Sequence, residues 1–140
     1  MKKFASVIIA VVTLVLCFTL AACGNNYVSN YSATQMVTSN TSDKASVSFG
    51  GFSGTYVMQL KNNGADEVFI TYEASLGEGN IKVYYDFNDE KLDLFEIESN
   101  GSVDSKTETF TGNKTIYIII EADGKCNDGS FSFVLEKQGK

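Results

Sequence analysis

The residues best suited to hold a metal ion lie in one acidic segment near the middle of the chain. Carboxylate and amide oxygens are spaced there as Asp86, Asn88, Asp89, Glu90 and Asp93. Calcium prefers oxygen ligands of this kind, supplied by side chains and by backbone carbonyls. Asn and Asp are also typical of a solvated turn between strands. The segment therefore predicts either a calcium site or a plain turn, and no other cofactor is indicated.

The sequence contains few residues suited to nucleophilic or acid–base catalysis. Cys126 is the one thiol after residue 23, and a thiol becomes reactive only beside a base or where its pKa is depressed. The chain contains no histidine to act as that base. Acidic residues such as Glu73, Glu78 and Asp93 could in principle hydrolyse a glycosidic bond. A domain of about 100 residues has little room for a deep cleft, however, so we predict that the protein is not an enzyme.

Aromatic residues at alternating positions give the stronger indication of a binding site. Successive side chains of a strand point to opposite faces of a sheet. Tyr84, Tyr117 and Phe69 each stand between apolar residues, so they face outward if those neighbours face the core. Rings collected on one sheet face make a flat platform for sugar rings or for a protein partner. The alternative is that another segment covers these rings, or that they lie on different sheets.

Charge and composition exclude one class of partner. The 17 acidic residues all follow residue 23, where nine lysines remain, so this part of the chain has a formal charge of −8. An acidic domain repels the phosphates of nucleic acids, and we therefore exclude nucleic-acid binding. The absence of arginine also removes the bidentate clamp that commonly holds phosphate or carboxylate groups.

The first 23 residues carry a separate pattern. Lys2 and Lys3 precede an uncharged run that ends in Leu20-Ala21-Ala22-Cys23. A positive end, an apolar core and small residues before a cleavage point are the parts of a secretory signal. This pattern resembles the signal peptide and lipobox of bacterial membrane lipoprotein precursors.

The resemblance implies that residues 1–22 are removed and that Cys23, carrying a diacylglyceryl group, becomes the N-terminus. Two acyl chains hold a protein stably on a bilayer, whereas one chain is marginal. The protein is then expected on the extracytoplasmic face of a bacterial cell membrane. The alternative is a permanent transmembrane anchor, because the 19 uncharged residues from Phe4 to Ala22 are almost enough to span a bilayer.

Residues 23–44 follow the signal and are rich in Asn, Ser and Thr. This composition buries too little apolar surface to order itself, so it predicts a flexible tether after the lipidated cysteine. The apolar residues in it could instead dock on the domain as an irregular edge segment; they are Tyr27, Val28, Tyr31 and Met36.

From Ala45 to Lys140 the apolar residues alternate with polar ones, which is typical of half-buried strands. Turn residues interrupt the pattern at near-regular spacing, and we predict seven or eight strands and no helix. The apolar phase slips between Leu94 and Phe95, which indicates a β-bulge. The expected fold is an antiparallel β-sandwich over residues 45–140, of the jelly-roll or immunoglobulin-like kind.

Two short motifs resemble bacterial jelly-roll modules of the carbohydrate-binding and pre-peptidase C-terminal type. They are Gly-Phe-Ser-Gly-Thr-Tyr at residues 51–56 and Gly-Ser-Phe-Ser-Phe at residues 129–133. We predict a non-catalytic binding module that uses an exposed aromatic sheet face, with an envelope or extracellular glycan as the favoured ligand. The alternative is a protein–protein interaction module, either an accessory subunit or an inhibitor, tethered to the membrane.

Overall fold

The computed structural model describes residues 27–62, 67–87, 89–111 and 115–138 of the 140-residue chain. The predicted lipidation residue Cys23 and the predicted calcium ligand Asn88 lie outside the described residues. Within these ranges all regular secondary structure is β-strand. No helix in the same ranges has the length and apolar character needed to cross a membrane.

Nine strands are present in the described ranges. They are β1 (Asn30–Thr34), β2 (Val37–Asn40), β3 (Lys44–Lys61), β4 (Val68–Glu78), β5 (Asn80–Asp86), β6 (Lys91–Glu98), β7 (Gly101–Lys106), β8 (Thr115–Ala122) and β9 (Cys126–Lys137). Every pair of neighbouring strands is antiparallel. The strand order β6-β5-β8-β3-β9-β4-β7, with β1 and β2 both paired to β3, makes one continuous hydrogen-bonded sheet.

Eight of these strands are halves of four longer strands, and β3 is a fifth that continues without interruption. β8 and β9 pair in succession with β3, and β5 and β4 pair in succession with β8 and β9. In the same way β6 pairs with β5 and β7 pairs with β4, while β1 and β2 pair in succession with the other side of β3. The sheet therefore consists of five long antiparallel strands side by side.

The interruptions in the long strands lie on one line, along which the sheet folds over itself. The backbone turns to positive φ at each of them, at Gln35 (52°), Gly79 (115°), Asn100 (59°) and Gly124 (76°). Hydrogen bonds join the neighbouring interruptions: the amide of Gly79 donates to Ser99 Oγ at 2.8 Å, and that of Asp123 donates to the Asn80 carbonyl at 2.9 Å. We call this line the bend.

Folding at the bend produces two packed layers. Layer one contains residues 55–61 of β3, β8, β5 and β6, and layer two contains β2, residues 44–49 of β3, β9, β4 and β7. β1 pairs with residues 51–55 of β3, which connect the two layers. Phe95 of layer one stacks on three rings of layer two, those of Tyr72 at 5.0 Å, Phe131 at 6.3 Å and Phe133 at 6.4 Å. The predicted all-β antiparallel sandwich is confirmed.

The core comes from the alternation seen in the sequence. Inward positions of β3, β4, β8 and β9 are buried, among them Val47, Ile70, Ile118 and Phe131. The predicted bulge is also present: Val83 pairs with Phe95 and Tyr84 with Asp93, so Leu94 has no partner in that ladder. Seven strands follow Asp43, which agrees with the predicted number.

The N-terminal part of the described chain differs from the flexible tether that its composition predicts. Residues 30–34 and 37–40 pair with β3 in a single register, from Asn30 opposite Thr55 to Asn40 opposite Ala45. A turn closes this hairpin, in which the amide of Thr41 donates to the Lys44 carbonyl at 2.7 Å. Backbone hydrogen bonds to β3 order this segment, and such bonds need little burial of apolar side chains. Its composition alone does not predict this order.

Candidate functional site

Two of the three predicted platform residues lie together, and the third lies elsewhere. Tyr84 and Tyr117 share the outer face of layer one, where they are diagonal neighbours because Tyr84 pairs with Ile119 and Tyr117 with Asp86. Phe69 lies in β4, on the outer face of layer two, with the Lys106 ammonium 5.5 Å above its ring. The three predicted residues therefore do not form one platform, and their part in ligand binding stays a prediction. The cause is the bend, which places β4 and β5 in different layers although they follow each other in the chain.

A third tyrosine joins the outer face of layer one from the N-terminal segment. The ring of Tyr27 lies 5.3 Å from that of Tyr117, tilted by 58°. Its hydroxyl donates a hydrogen bond to Asp86 Oδ2. Just after it, Ser29 Oγ accepts a hydrogen bond from the Val57 amide at 2.9 Å. We call this surface, with Tyr27, Tyr84 and Tyr117, the tyrosine face.

Tyr27 could not be assigned to the site from sequence. The residues around it show no strand periodicity, so its aromatic ring was the only signal. Ile119 points to the same outer face and yet is only 2% exposed. Ile119 lies in register between Val57 and Tyr84, and the Val57 amide donates a hydrogen bond to Ser29 Oγ of the N-terminal segment. The tyrosine face is therefore a packed surface with half-buried rings.

Charged groups of both signs surround Tyr84. The Lys91 ammonium lies 4.1 Å from the centre of the Tyr84 ring and 3.0 Å from Glu121 Oε1. A depression of about 150 Å³ beside the ring is lined by Lys82, Asp93 and Glu96, among others. A second, of about 300 Å³, continues toward the bend and is lined by Asn80, Lys82, Glu121, Ala122 and Asp123. A ring flanked by hydrogen-bond donors and acceptors is suited to a polar ligand with a flat apolar side.

Asp86 ends β5, and Asp89 and Glu90 are exposed in the turn between β5 and β6. Asp86 is 3% exposed, and its two carboxylate oxygens accept hydrogen bonds from the Tyr27 hydroxyl and from the Glu90 amide at 3.1 Å. Asp93 lies on β6, opposite Tyr84. In the part of the chain that the structure describes, no three His, Cys, Asp or Glu side chains are grouped so as to hold a metal ion. Calcium binding stays a prediction.

Cys126 lies at the bend and is fully buried. Its Sγ contacts the Asn80 carbonyl oxygen at 3.5 Å, as a weak donor. Burial raises the pKa of the thiol above its ordinary value, and this outweighs the opposite effect of the hydrogen bond to Asn80. A raised pKa keeps the thiol protonated near neutral pH, and a protonated thiol is a poor nucleophile.

Solved structures of other proteins resemble this chain in their fold. No protein-family model matches the sequence, and no curated protein matches it. Among solved structures, the secreted serine protease VesC from Vibrio cholerae matches with a TM-score of 0.50 at 12% identity, over 79% of this chain and 24% of that chain. The similarity to VesC thus concerns about a quarter of that protein's length.

Several of the other similar structures are carbohydrate-binding modules. The CBM36-1 domain of a multidomain xylanase from the hindgut metagenome of Trinervitermes trinervoides has a TM-score of 0.46 at 13% identity, covering 79% of this chain and 100% of that chain. TmCBM61, in complex with β-1,4-galactotriose, has a TM-score of 0.43 at 15% identity, covering 74% and 70%. At these identities the similarity carries no conclusion about what this chain binds.

Proposed function

We propose that this protein is a non-catalytic binding module, held by a lipid on Cys23 at the extracytoplasmic face of a bacterial membrane. We propose further that it binds a glycan through the tyrosine face. The observation that supports the glycan proposal is the surface around Tyr84, where an aromatic ring stands between hydrogen-bond donors and acceptors. Sugars present an apolar ring face and a rim of hydroxyl groups, and such a surface matches both.

Binding should depend on Tyr84 and Tyr117 and should not depend on Phe69. The measurement is affinity electrophoresis of the full mature chain, in detergent, through gels containing a panel of envelope and extracellular polysaccharides. We expect the double variant Tyr84→Ala/Tyr117→Ala to lose retardation by a retained polysaccharide, with affinity reduced at least about tenfold, because truncated aromatic anchors commonly cost this much. Tyr84→Phe should retain binding, since it keeps the ring.

Phe69→Ala is the matched control, because it removes a ring that is also half-buried, from the outer face of the other layer. Melting temperatures should be recorded for all variants, since Tyr117 also contacts Tyr27. Tyr84→Ala alone leaves that contact intact and separates loss of binding from loss of structure. Equal retardation of the double variant and the original chain would contradict the proposed site, and retardation on no gel would contradict glycan binding for that panel.

Membrane attachment should depend on Cys23. We expect Cys23→Ala to retain the 22 preceding residues, because the thiol that carries the lipid is gone. Mass spectrometry of the original chain should show a mature N-terminus at residue 23 carrying two or more acyl chains. An unprocessed chain without lipid would instead favour the transmembrane anchor. The glycan assay is independent of this result.

A further inference from the structure

The two lateral edges of the folded sheet differ sharply in charge. At one edge, β6 and β7 contain six charged residues among fourteen, namely Lys91, Asp93, Glu96, Glu98, Asp104 and Lys106. At the other edge, residues 30–40 contain none, and no proline. Charges and prolines on edge strands are the usual means by which proteins prevent one sheet from pairing with another. Only the edge formed by β6 and β7 is protected in this way.

The neutral edge is also long and accessible. It keeps one register with β3 over residues 30–40, apart from the interruption at Gln35 and Met36. In the described ranges its other side pairs with no strand. Val37 is 67% exposed and Tyr31 is 44% exposed, while Ala33 and Met36 are only partly buried against the core. The edge therefore presents a row of backbone donors and acceptors next to an incompletely covered part of the core.

We propose that this neutral edge pairs with the same edge of a second copy of the chain, antiparallel about a two-fold axis, to form a homodimer. The shape of the edge supports a second copy as the partner. The bend interrupts it near its middle, with five residues in β1 before it and four in β2 after it. A straight strand could follow only one half. A second copy running antiparallel bends at the same point, and Thr34 of each chain then lies opposite Val37 of the other.

Charge supports the same partner. Two chains that each carry −8 repel one another over most of their surface, and an uncharged edge is where that repulsion is weakest. Antiparallel pairing about a two-fold axis uses the same surface on both chains, so it closes at two copies. The charged edge at β6 and β7 does not extend the assembly further.

The first test measures mass. We expect light scattering on the full mature chain in detergent, corrected for the mass of the micelle, to give twice the monomer mass. The measurement should cover a series of protein concentrations that reaches about 1 mM. Thr34→Lys/Val37→Lys places lysines opposite lysines in the proposed register and should raise the dimer dissociation constant at least about tenfold, because like charges directly opposite destabilise a strand pair. Ser102→Lys/Ser105→Lys adds the same charge to β7 at exposed positions and should leave the dimer intact.

The second test measures register. When Thr34→Cys and Val37→Cys variants are produced together in one membrane, mild oxidation should link them to each other, because paired strand residues lie within disulfide reach. Each variant alone should link much less. Buried Cys126 should not take part. The proposal is overturned by a monomeric mass, by a dimer that the Thr34→Lys/Val37→Lys variant leaves unchanged, by assemblies larger than two, or by equal linkage in the single variants. A different protein bound at this edge of a monomeric chain overturns it too.

Discussion

Replacing Gly79 by alanine should lower the free energy of unfolding by about 3–5 kcal/mol, from two causes that act together. The first is backbone strain, because Gly79 has φ of +115°, a conformation that residues with a Cβ rarely adopt. The second is steric, because a Cβ built on Gly79 would lie 2.5 Å from Cys126 Sγ and 2.9 Å from Cys126 Cβ. Cys126 is fully buried and cannot move aside without disturbing the bend.

The measurement is the urea midpoint of the Gly79→Ala variant at unchanged slope. Gly124→Ala is the matched control, because Gly124 has φ of +76° at the same bend but nothing within 4 Å of the added Cβ. It should show the strain alone, about 1–3 kcal/mol. Adding Cys126→Ala to Gly79→Ala should recover part of the loss by removing Sγ. Equal losses in Gly79→Ala and Gly124→Ala would show that the contact with Cys126 contributes nothing.

Phe131→Ala should also remove about 3–5 kcal/mol, the usual cost of truncating a fully buried phenylalanine. Phe131 is 1% exposed and its ring lies 6.1 Å from Phe49 in β3 and 6.3 Å from Phe95 in the opposite layer. The truncation leaves a cavity between the layers, and these rings cannot collapse into it without breaking their own stacking. The whole domain is expected to have only about 5–15 kcal/mol of stability, so the variant should unfold at a much lower urea concentration.

Ser132→Ala is the control for this substitution. Ser132 lies next to Phe131 in the same strand but points to the outer face of layer two. We expect its substitution to change the free energy of unfolding by no more than about 0.5 kcal/mol. A loss below about 1 kcal/mol for Phe131→Ala would contradict the view that the two layers are held together through this ring.

Alternation of side chains was sufficient to predict the fold class. Residues such as Ile116, Ile118 and Phe131 face inward in the structure as their period of two requires. The alternation of apolar and polar residues is interrupted at Leu94, and this correctly predicted a β-bulge, because the extra residue of a bulge shifts the alternation by one position. These features depend on neighbours in sequence, so one sequence contains them.

The composition of residues 23–44 predicted a flexible tether, whereas residues 30–34 and 37–40 form strands. Composition could not show this, because the strand that orders them lies on the far side of a turn. Hydrogen bonds to β3 do not require apolar side chains, so Asn, Ser and Thr serve as well as Val or Ile. The same segment supplies Tyr27, which completes the tyrosine face through Tyr117 and Asp86. Neither contact leaves a trace in local periodicity.

What the sequence by itself determined is which residues face the core, which face outward, and that the domain is an antiparallel β-sandwich. What only the tertiary structure decided is which outward residues share a face. Phe69 and Tyr84 are both outward residues of consecutive strands, yet the bend at Gly79 sends them to opposite sides of the sandwich. The physical reason is that alternation within a strand is a local property, whereas the layer to which a strand belongs depends on where the whole sheet folds.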